Sequence, residues 1–500
     1  MKIVAETFEC INPATGEVLA SYPVHGEKDV AEAVARARSA AQWWAGLSWG
    51  GRRARLLAWK SHVTRNMSDL AAVVHSETGK PVDDARLEII NAIVHLDWAA
   101  KNAQSVLKPR RVPSGIAMMN VSSSVEYRPL GVVGVIGPWN YPVFTPIGSI
   151  CYALAAGNAV VFKPSELTPG TGAWIVSSFA DSLRNSFGED QPVMQLITGL
   201  GQTGGFLASS PGINKIAFTG SPGTARKVMA AAAANLTPVL AECGGKDAMI
   251  VDADADLEAA ADAAAWGAMS NAGQTCVGIE RVYVVDSAYD AFVEKLRSKV
   301  SELRPGSDEG ASYGPMTLPS QVDIIDRHVR DAISRGGRPV VGGVESVSAP
   351  YVSPVVLAGV PEDSAAVREE TFGPTVTVTP VASLSDGVRL ANASSYGLGS
   401  AVFTRSRSAG MAAARALRAG MTSVNSVLAF AGVPSLPFGG SGESGFGRIH
   451  GADGLREFSQ AKAIARQRMK PPMRTTTFRR TPQDMERIVK FVTFLHGRNS

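Results

Sequence analysis

From residue 132 onward, short apolar runs alternate with longer helical patterns, and this alternation limits the fold more than any other feature of the chain. Residues 132–136, 159–162, 193–198 and 215–219 read as strands, rich in Val, Ile and Phe. Residues 146–156 and 172–187 read as helices, and Ser221-Pro222 supplies an N-cap with proline at the first helical position. Strands of this kind, joined by helices, pair in parallel and are covered on both faces. A second α/β stretch follows from residue 248 to about 426, with an Ala-rich helix at 257–269, a strand at 282–285, a helix at 288–303 and a late strand at 400–404. Upstream, 27–107 reads as helices, clearest at 29–44 and 52–77. Residues 112–130, around Pro113 and Gly115, suggest a hairpin, and the glycines crowding 438–447 mark a tight loop.

A chain of 500 residues exceeds one hydrophobic core, so two or three domains are expected. Its four cysteines, Cys10, Cys151, Cys243 and Cys276, are too few and too scattered for a disulfide framework, which favours a reducing compartment. Glu6, Glu9 and Glu17 interrupt the start where a signal peptide needs an apolar core, and no run reaches the roughly 18 apolar residues of a spanning helix. The expectation is a soluble, cytoplasmic protein. The net charge of +4 conceals an asymmetry: residues 466–500 carry +7 and residues 1–465 carry −3. A basic excess confined to a terminal appendage argues against nucleic-acid binding by the folded body.

Gly199-Leu-Gly201-Gln-Thr-Gly204 is a literal G-x-G-x-x-G after a strand. A dinucleotide fingerprint also needs a carboxylate about 20 residues on, yet residues 191–241 contain no Asp or Glu, so a plain turn is the better reading. The next strand–helix junction, Phe218-Thr-Gly-Ser221, is a better phosphate site, because a helix start directs unpaired N–H groups at an anion. Cys276 follows Gly273 in a polar loop with Gln274 and Thr275, where a thiolate could survive; a single free cysteine is otherwise usually inert. Glu242 ends an apolar strand at 238–241, the place where α/β sheets hold ligands. Asn140, in Pro138-Trp-Asn-Tyr-Pro142, reads as a turn former or an amide donor. The seven histidines show no ligand spacing and no C-x-x-C occurs, so no metal site is expected. Serine-hydrolase and Walker A sequences are absent.

Taken together over residues 10–465, the chain resembles the aldehyde dehydrogenase superfamily. The resemblance is carried, in order, by Gly137-Pro-Trp-Asn-Tyr-Pro142, Phe162-Lys-Pro-Ser-Glu-Leu-Thr168, Phe218-Thr-Gly-Ser221 and Glu242-Cys-Gly-Gly-Lys246. Gly273-Gln-Thr-Cys276, Glu369-Glu-Thr-Phe-Gly-Pro374, and Pro437-Phe-Gly-Gly440 with Ser444-Gly-Phe-Gly447 complete it. It implies an α/β fold with a Rossmann-like parallel-sheet cofactor domain (1–111 and 131–242), a second α/β catalytic domain (243–426) and a small β oligomerisation bridge (112–130 and 427–465), followed by a basic extension (466–500). It also implies a homodimer or homotetramer.

The same resemblance implies NAD-dependent oxidation of an aldehyde to the acid. Cys276 would be the nucleophile, Asn140 and the Cys276 N–H the oxyanion donors, and Glu242 the base that activates hydrolytic water. Ile136, Trp139, Lys163, Glu166, Gly220, Ser221, Glu370 and Phe372 would contact the cofactor. Glu166 suits a free ribose 2′-hydroxyl and repels a 2′-phosphate, so NAD is expected, with NADP as the alternative. Glu242 argues against a CoA-acylating relative, and Cys276 with Glu242 against a catalytically silent structural member. The chain departs from the family pattern at Cys243, Ala225 and the tail. Residues 488–495, apolar with basic flanks, would pack on another subunit or lie on an anionic membrane surface. Val277-Gly-Ile-Glu-Arg-Val282 resembles some bacterial succinate-semialdehyde dehydrogenases, where Arg281 would be either a substrate-carboxylate clamp or a structural ion pair.

Overall fold

The computed structural model describes residues 6–470 and 477–497. The first five residues of the expected cofactor domain, and 471–476 and 498–500 of the basic extension, lie outside the described residues. Residues 6–106 with Pro129–Ser459 cluster as one unit, and residues 107–128 with 460–497 as another.

Within the larger unit, the alternating pattern forms a six-stranded sheet. Its order is Gly445–Phe446, Val239–Cys243, Lys215–Gly220, Val132–Ile136, Ala159–Lys163 and Met194–Leu196. All neighbours run parallel except the Gly445–Phe446 edge, where Gly445 pairs with Glu242. Strand order reverses between Val132–Ile136 and Lys215–Gly220, and ligands of open α/β sheets bind in the crevice at such a reversal. The strands are continuously apolar because helices cover both faces; Val132, Val133, Val160, Val161 and Ile216 are all buried.

A seven-stranded sheet forms the rest of this unit: Arg338–Val341, Val355–Ala358, Thr375–Val381, Ile279–Val285, Asp247–Val251, Ser400–Phe403 and Ser423–Val424. Only the first edge strand is antiparallel. Helices Leu257–Met269 and Asp286–Ser301 cover one face, burying Ala260, Ala264, Ala268, Phe292, Leu296 and Val300 at helical spacing. Asp256 caps the first of these by accepting from the Glu258 and Ala259 N–H groups.

Two local readings change. The helical run expected over 52–77 is two helices, Trp49–Arg65 and Met67–Thr78, because Asn66 leaves helical geometry at φ −107°. The strand expected at 193–198 shortens to Met194–Leu196.

In the smaller unit, Arg110–Val112 pairs antiparallel with the start of Val121–Pro129, and Ser459–Gln467 flanks the other side to give three strands. Pro482–His496 is a helix closed by a capping box between Thr481 and Asp484, with no buried residue. Among the described residues, no helix is long and apolar enough to cross a membrane.

An aromatic cluster behind the first sheet contains two buried histidines. The rings of His95 and His450 lie 3.8 Å apart, among Phe144, Tyr152 and Phe438. Among the described residues neither His450 nitrogen has a hydrogen-bond partner, and burial lowers the His95 pKa to about 4 against its Ala431 carbonyl bond. A depressed folded pKa contributes stability that is complete above the unfolded value near 6.5 and is lost as pH falls towards 4. For His95 this loss amounts to about 2 kcal/mol between pH 7 and pH 5. Thermal melts at the two pH values should show a smaller fall for His95→Gln, which can still donate to the Ala431 carbonyl, than for the parent.

Candidate functional site

Loops from the C-terminal end of the first sheet and from the N-terminal ends of the second sheet's strands meet around Cys276. The loop after Val132–Ile136 carries Trp139 and Asn140, and a buried ion pair holds it. Lys80 Nζ, 2% exposed, lies 2.8 Å from Glu88 Oε2 and donates to the Asn140 carbonyl at 2.7 Å. Glu88 Oε1 accepts the N–H groups of Val143 (2.7 Å) and Phe144 (3.0 Å). The Asn140 amide donates to the Gln274 carbonyl at 2.9 Å. A primary amide has two hydrogens, so one remains for another acceptor.

The cysteine loop is held in an uncommon backbone. Asn271 (φ 53°), Ala272 (φ 55°) and Gly273 (φ 69°) are consecutive left-handed residues, which L side chains adopt only when neighbours enforce it. Here a Cβ at residue 273 would overlap the Gly373 carbonyl, so glycine permits the close approach of this loop to the one carrying Phe372. Asn271 donates to the Asn140 and Gln274 carbonyls, both at 3.2 Å, and Gln274 Oε1 accepts the Thr317 N–H. Tyr141 shares a 2.9 Å hydrogen bond with Thr275.

These contacts bring Cys276 Sγ to 3.8 Å from Glu242 Oε1, and Thr219 donates to Glu242 Oε2 at 3.1 Å. Burial pushes the Glu242 carboxyl up to about 7, against the lowering effect of the Thr219 and Cys276 donors. The Cys276 thiol is raised well above its ordinary value, first by burial and then by Glu242, Asp247 and Glu370. The sulfur therefore holds its proton next to Glu242.

The other expected residues divide between two places. Ile136, Lys163 and Gly220 end three adjacent strands, with Ile136 paired to Lys163 on one side and Phe218 on the other. Lys163 is buried, lies 3.8 Å from half-exposed Glu166 and donates to the Pro164 carbonyl. Ser221 Oγ accepts the Thr224 N–H and caps the twelve-residue helix Pro222–Ala233. Glu370 and Phe372 lie on the loop that packs against the cysteine loop at Gly273, and Trp139 meets Phe372 edge-on with centroids 5.6 Å apart. Glu370 accepts the Gly245 N–H at 3.0 Å, and a Cβ at Gly244 would occupy its carboxylate position. A carboxylate, a paired lysine and an open helix start along one row of strand ends fit the hydroxyl and phosphate groups of a dinucleotide.

The remaining sequence questions resolve locally. The plain-turn reading is corrected: Gly199 (φ 143°) lies against Thr203, whose hydroxyl donates to the His25 carbonyl, and Gly201 to Gly204 already belong to the helix Gly201–Ala208. Cys243 is buried and its thiol is pushed up to about 12 by burial and then Glu242, which keeps it protonated. Ala225 is buried and donates its N–H to the Ser221 carbonyl as an ordinary helical residue. Arg281 does not line the cavity at Cys276 and forms no ion pair among the described residues: it is buried, donating to the Lys246 carbonyl at 3.0 and 2.6 Å. Among the described residues, no group of His, Cys, Asp and Glu is placed to hold a metal.

Residues 2–464 match the Aldehyde dehydrogenase family. This chain belongs to that family. It is an oxidoreductase acting on aldehydes, and enzymes of this family are NAD(P)-dependent. The chain is 36% identical to a 4,4'-diapolycopene aldehyde oxidase of Methylomonas sp, over 99% of this chain and 92% of the relative. It is 33% identical to a glutarate-semialdehyde dehydrogenase of Pseudomonas putida, over 92% and 94%. The crystal structure of an NAD-dependent aldehyde dehydrogenase from Sinorhizobium meliloti superposes with a TM-score of 0.88 at 33% identity, covering 94% of this chain and 93% of that one.

Sequence reasoning missed Lys80, Glu88, Asn271 and the Lys246–Glu280 pair. Lys80 and Glu88 are eight residues apart in a helical region, where such a pair reads as a solvated face; only the fold buries them. Removing one partner of a buried pair typically costs about 3–5 kcal/mol by stranding the other charge. Lys80→Met should therefore lower the thermal midpoint markedly, and adding Glu88→Gln should recover part of the loss, as calorimetry of the three proteins would show.

Proposed function

We propose that this family member oxidises an aldehyde to its carboxylic acid with NAD, through a covalent thioester on Cys276. The approach of the Cys276 sulfur to the Glu242 carboxylate carries this reading. On it, the thiol proton passes to Glu242 as sulfur bonds to the aldehyde carbon. The carbonyl oxygen becomes an oxyanion, met by the remaining Asn140 amide hydrogen and the Cys276 N–H. Donors fixed where charge develops are each worth roughly 3 kcal/mol. A bound nicotinamide dinucleotide would supply hydride acceptance, converting the adduct to the acyl-thioester. Glu242 releases that proton to solvent and then takes one from water; as the water oxygen bonds to the thioester carbon the C–S bond breaks, the acid leaves, and sulfur recovers a proton from Glu242.

Lys163 and Glu166 would hold the adenosine ribose, Gly220 and Ser221 the pyrophosphate, and Glu370 with Phe372 the nicotinamide ribose, with Trp139 and Ile136 lining the cleft. The NAD-linked Sinorhizobium meliloti structure agrees with this choice, and the exposed Glu166 carboxylate disfavours a 2′-phosphate. A semialdehyde substrate, as named for the Pseudomonas putida relative, finds no clamp in Arg281. The resemblance also supports a homo-oligomer built through the small β unit.

The test is direct. Cys276→Ser should abolish NAD reduction with every aldehyde offered, and retained turnover would overturn the reading. Glu242→Gln should slow both sulfur attack and thioester hydrolysis, each by roughly 10²–10⁴-fold, because the same carboxylate serves both steps. Because the ionised form of Glu242 is the active one, steady-state rate limited by hydrolysis should rise with pH through about 7 and then level off. Stopped-flow NADH absorbance separates the two phases. Glu166→Gln should raise the NADP-to-NAD ratio of kcat/KM.

A further inference from the structure

The cavity that opens onto Cys276 has about 240 Å³ of space, more than the roughly 150 Å³ that admits benzene in an engineered protein core. Leu87, Phe144, Trp266, Val427 and Phe438 are among the apolar residues of its wall. Two of these stay open to solvent, Leu87 at 54% and Trp266 at 52% exposure. A large apolar side chain exposed at a cavity mouth gains by covering, so a ligand that lays apolar surface across both is favoured.

The charges in the same wall point the same way. They are Lys80, Asp84, Glu88 and Glu242. The lysine is held by Glu88 and the Asn140 carbonyl, and three carboxyl groups outnumber this one ammonium among the lining residues. Arg281, the one nearby guanidinium suggested by sequence, faces the Lys246 carbonyl and does not line the cavity. A substrate carboxylate would enter against two acidic side chains and lose its hydration with no partner to replace it.

We propose that the cleft selects uncharged apolar aldehydes, with Trp266 and Leu87 as the apolar contact at the mouth and Asp84 as the group that turns away aldehydes bearing a second, anionic end. This rests on the functional reading above, because it concerns the same cavity. Binding and turnover are therefore measured separately, on the full chain in the presence of NAD. Unreactive amides stand in for the aldehydes in calorimetry: hexanamide for an apolar chain, succinamate for an acidic one. Hexanamide should bind at least ten-fold tighter, in line with the discrimination an apolar pocket gives. Trp266→Ala should weaken hexanamide about ten-fold and leave succinamate nearly unchanged, while Asp84→Asn should narrow the gap by improving succinamate. Steady-state kcat/KM for hexanal and succinic semialdehyde should follow the same order. Equal or tighter binding of succinamate would overturn the selection even in an active dehydrogenase. Hexanamide preference without oxidation of either aldehyde would uphold the selection and overturn the catalytic reading.

Discussion

A buried ion pair sets the geometry between the cysteine loop and the loop that faces it. Lys246 follows Glu242-Cys-Gly-Gly at the entry to the second sheet, and its ammonium, fully buried, meets Glu280 at the start of the strand after Cys276. Glu280 also accepts the N–H groups of Thr371 and Phe372, at 2.9 and 3.0 Å, and Lys246 donates to the Thr371 hydroxyl. One pair of charges thus ties the segment after Glu242, the segment after Cys276 and the segment carrying Glu370. Two ions stay out of water only because backbone donors and a hydroxyl complete their coordination. Geometry of this stringency holds Phe372 at φ 50°, a conformation its own preferences oppose.

Lys80 and Glu88 do the equivalent work on the other side, fixing the Asn140 backbone and the N–H groups of Val143 and Phe144. Both pairs act on loops at strand ends, where ladder hydrogen bonds stop and backbone polar groups need other partners. The sheets supply direction and the ion pairs supply position. The proposed oxyanion donor and nucleophile therefore sit on two loops, and the base on a strand end, without depending on loop stiffness.

How legible this was in the sequence varies with range. Strand 132–136 and helix 257–269 matched the structure to the residue, because a Val/Ile-rich apolar run and an Asp-capped Ala-rich stretch are locally consistent. Cys276, Glu242 and Asn140 were legible as motifs, since each ends an element or follows a turn. Their supports were not: Lys80 lies 60 residues from Asn140, and Glu280 lies 34 from Lys246, so nothing local distinguishes them from surface charges. Arg281 was misleading for the same reason. At a strand start near the nucleophile it resembles a ligand clamp, and only the neighbouring strand's free carbonyl shows what it serves. The break at Asn66 also escaped, because the apolar period continues through it.

The protonation state of the site follows from crowding. Glu242, Asp247 and Glu370 all have carboxyl pKa values raised by burial, to about 7, 8 and 8, and the Cys276 thiol is raised further by their fields. Sulfur and Glu242 oxygen stand close enough that two negative charges there would repel strongly in a dry cleft. The pair is therefore best described as holding one proton between them. On the proposed mechanism that is an economy of design: the proton on sulfur moves to the carboxylate when carbon is attacked, and Glu242 must lose it again before it can deprotonate water. A carboxyl pKa near neutrality suits both halves, basic enough to accept from the thiol and acidic enough to release before hydrolysis. The raised pKa that would make an isolated cysteine inert is here the counterpart of a base poised beside it.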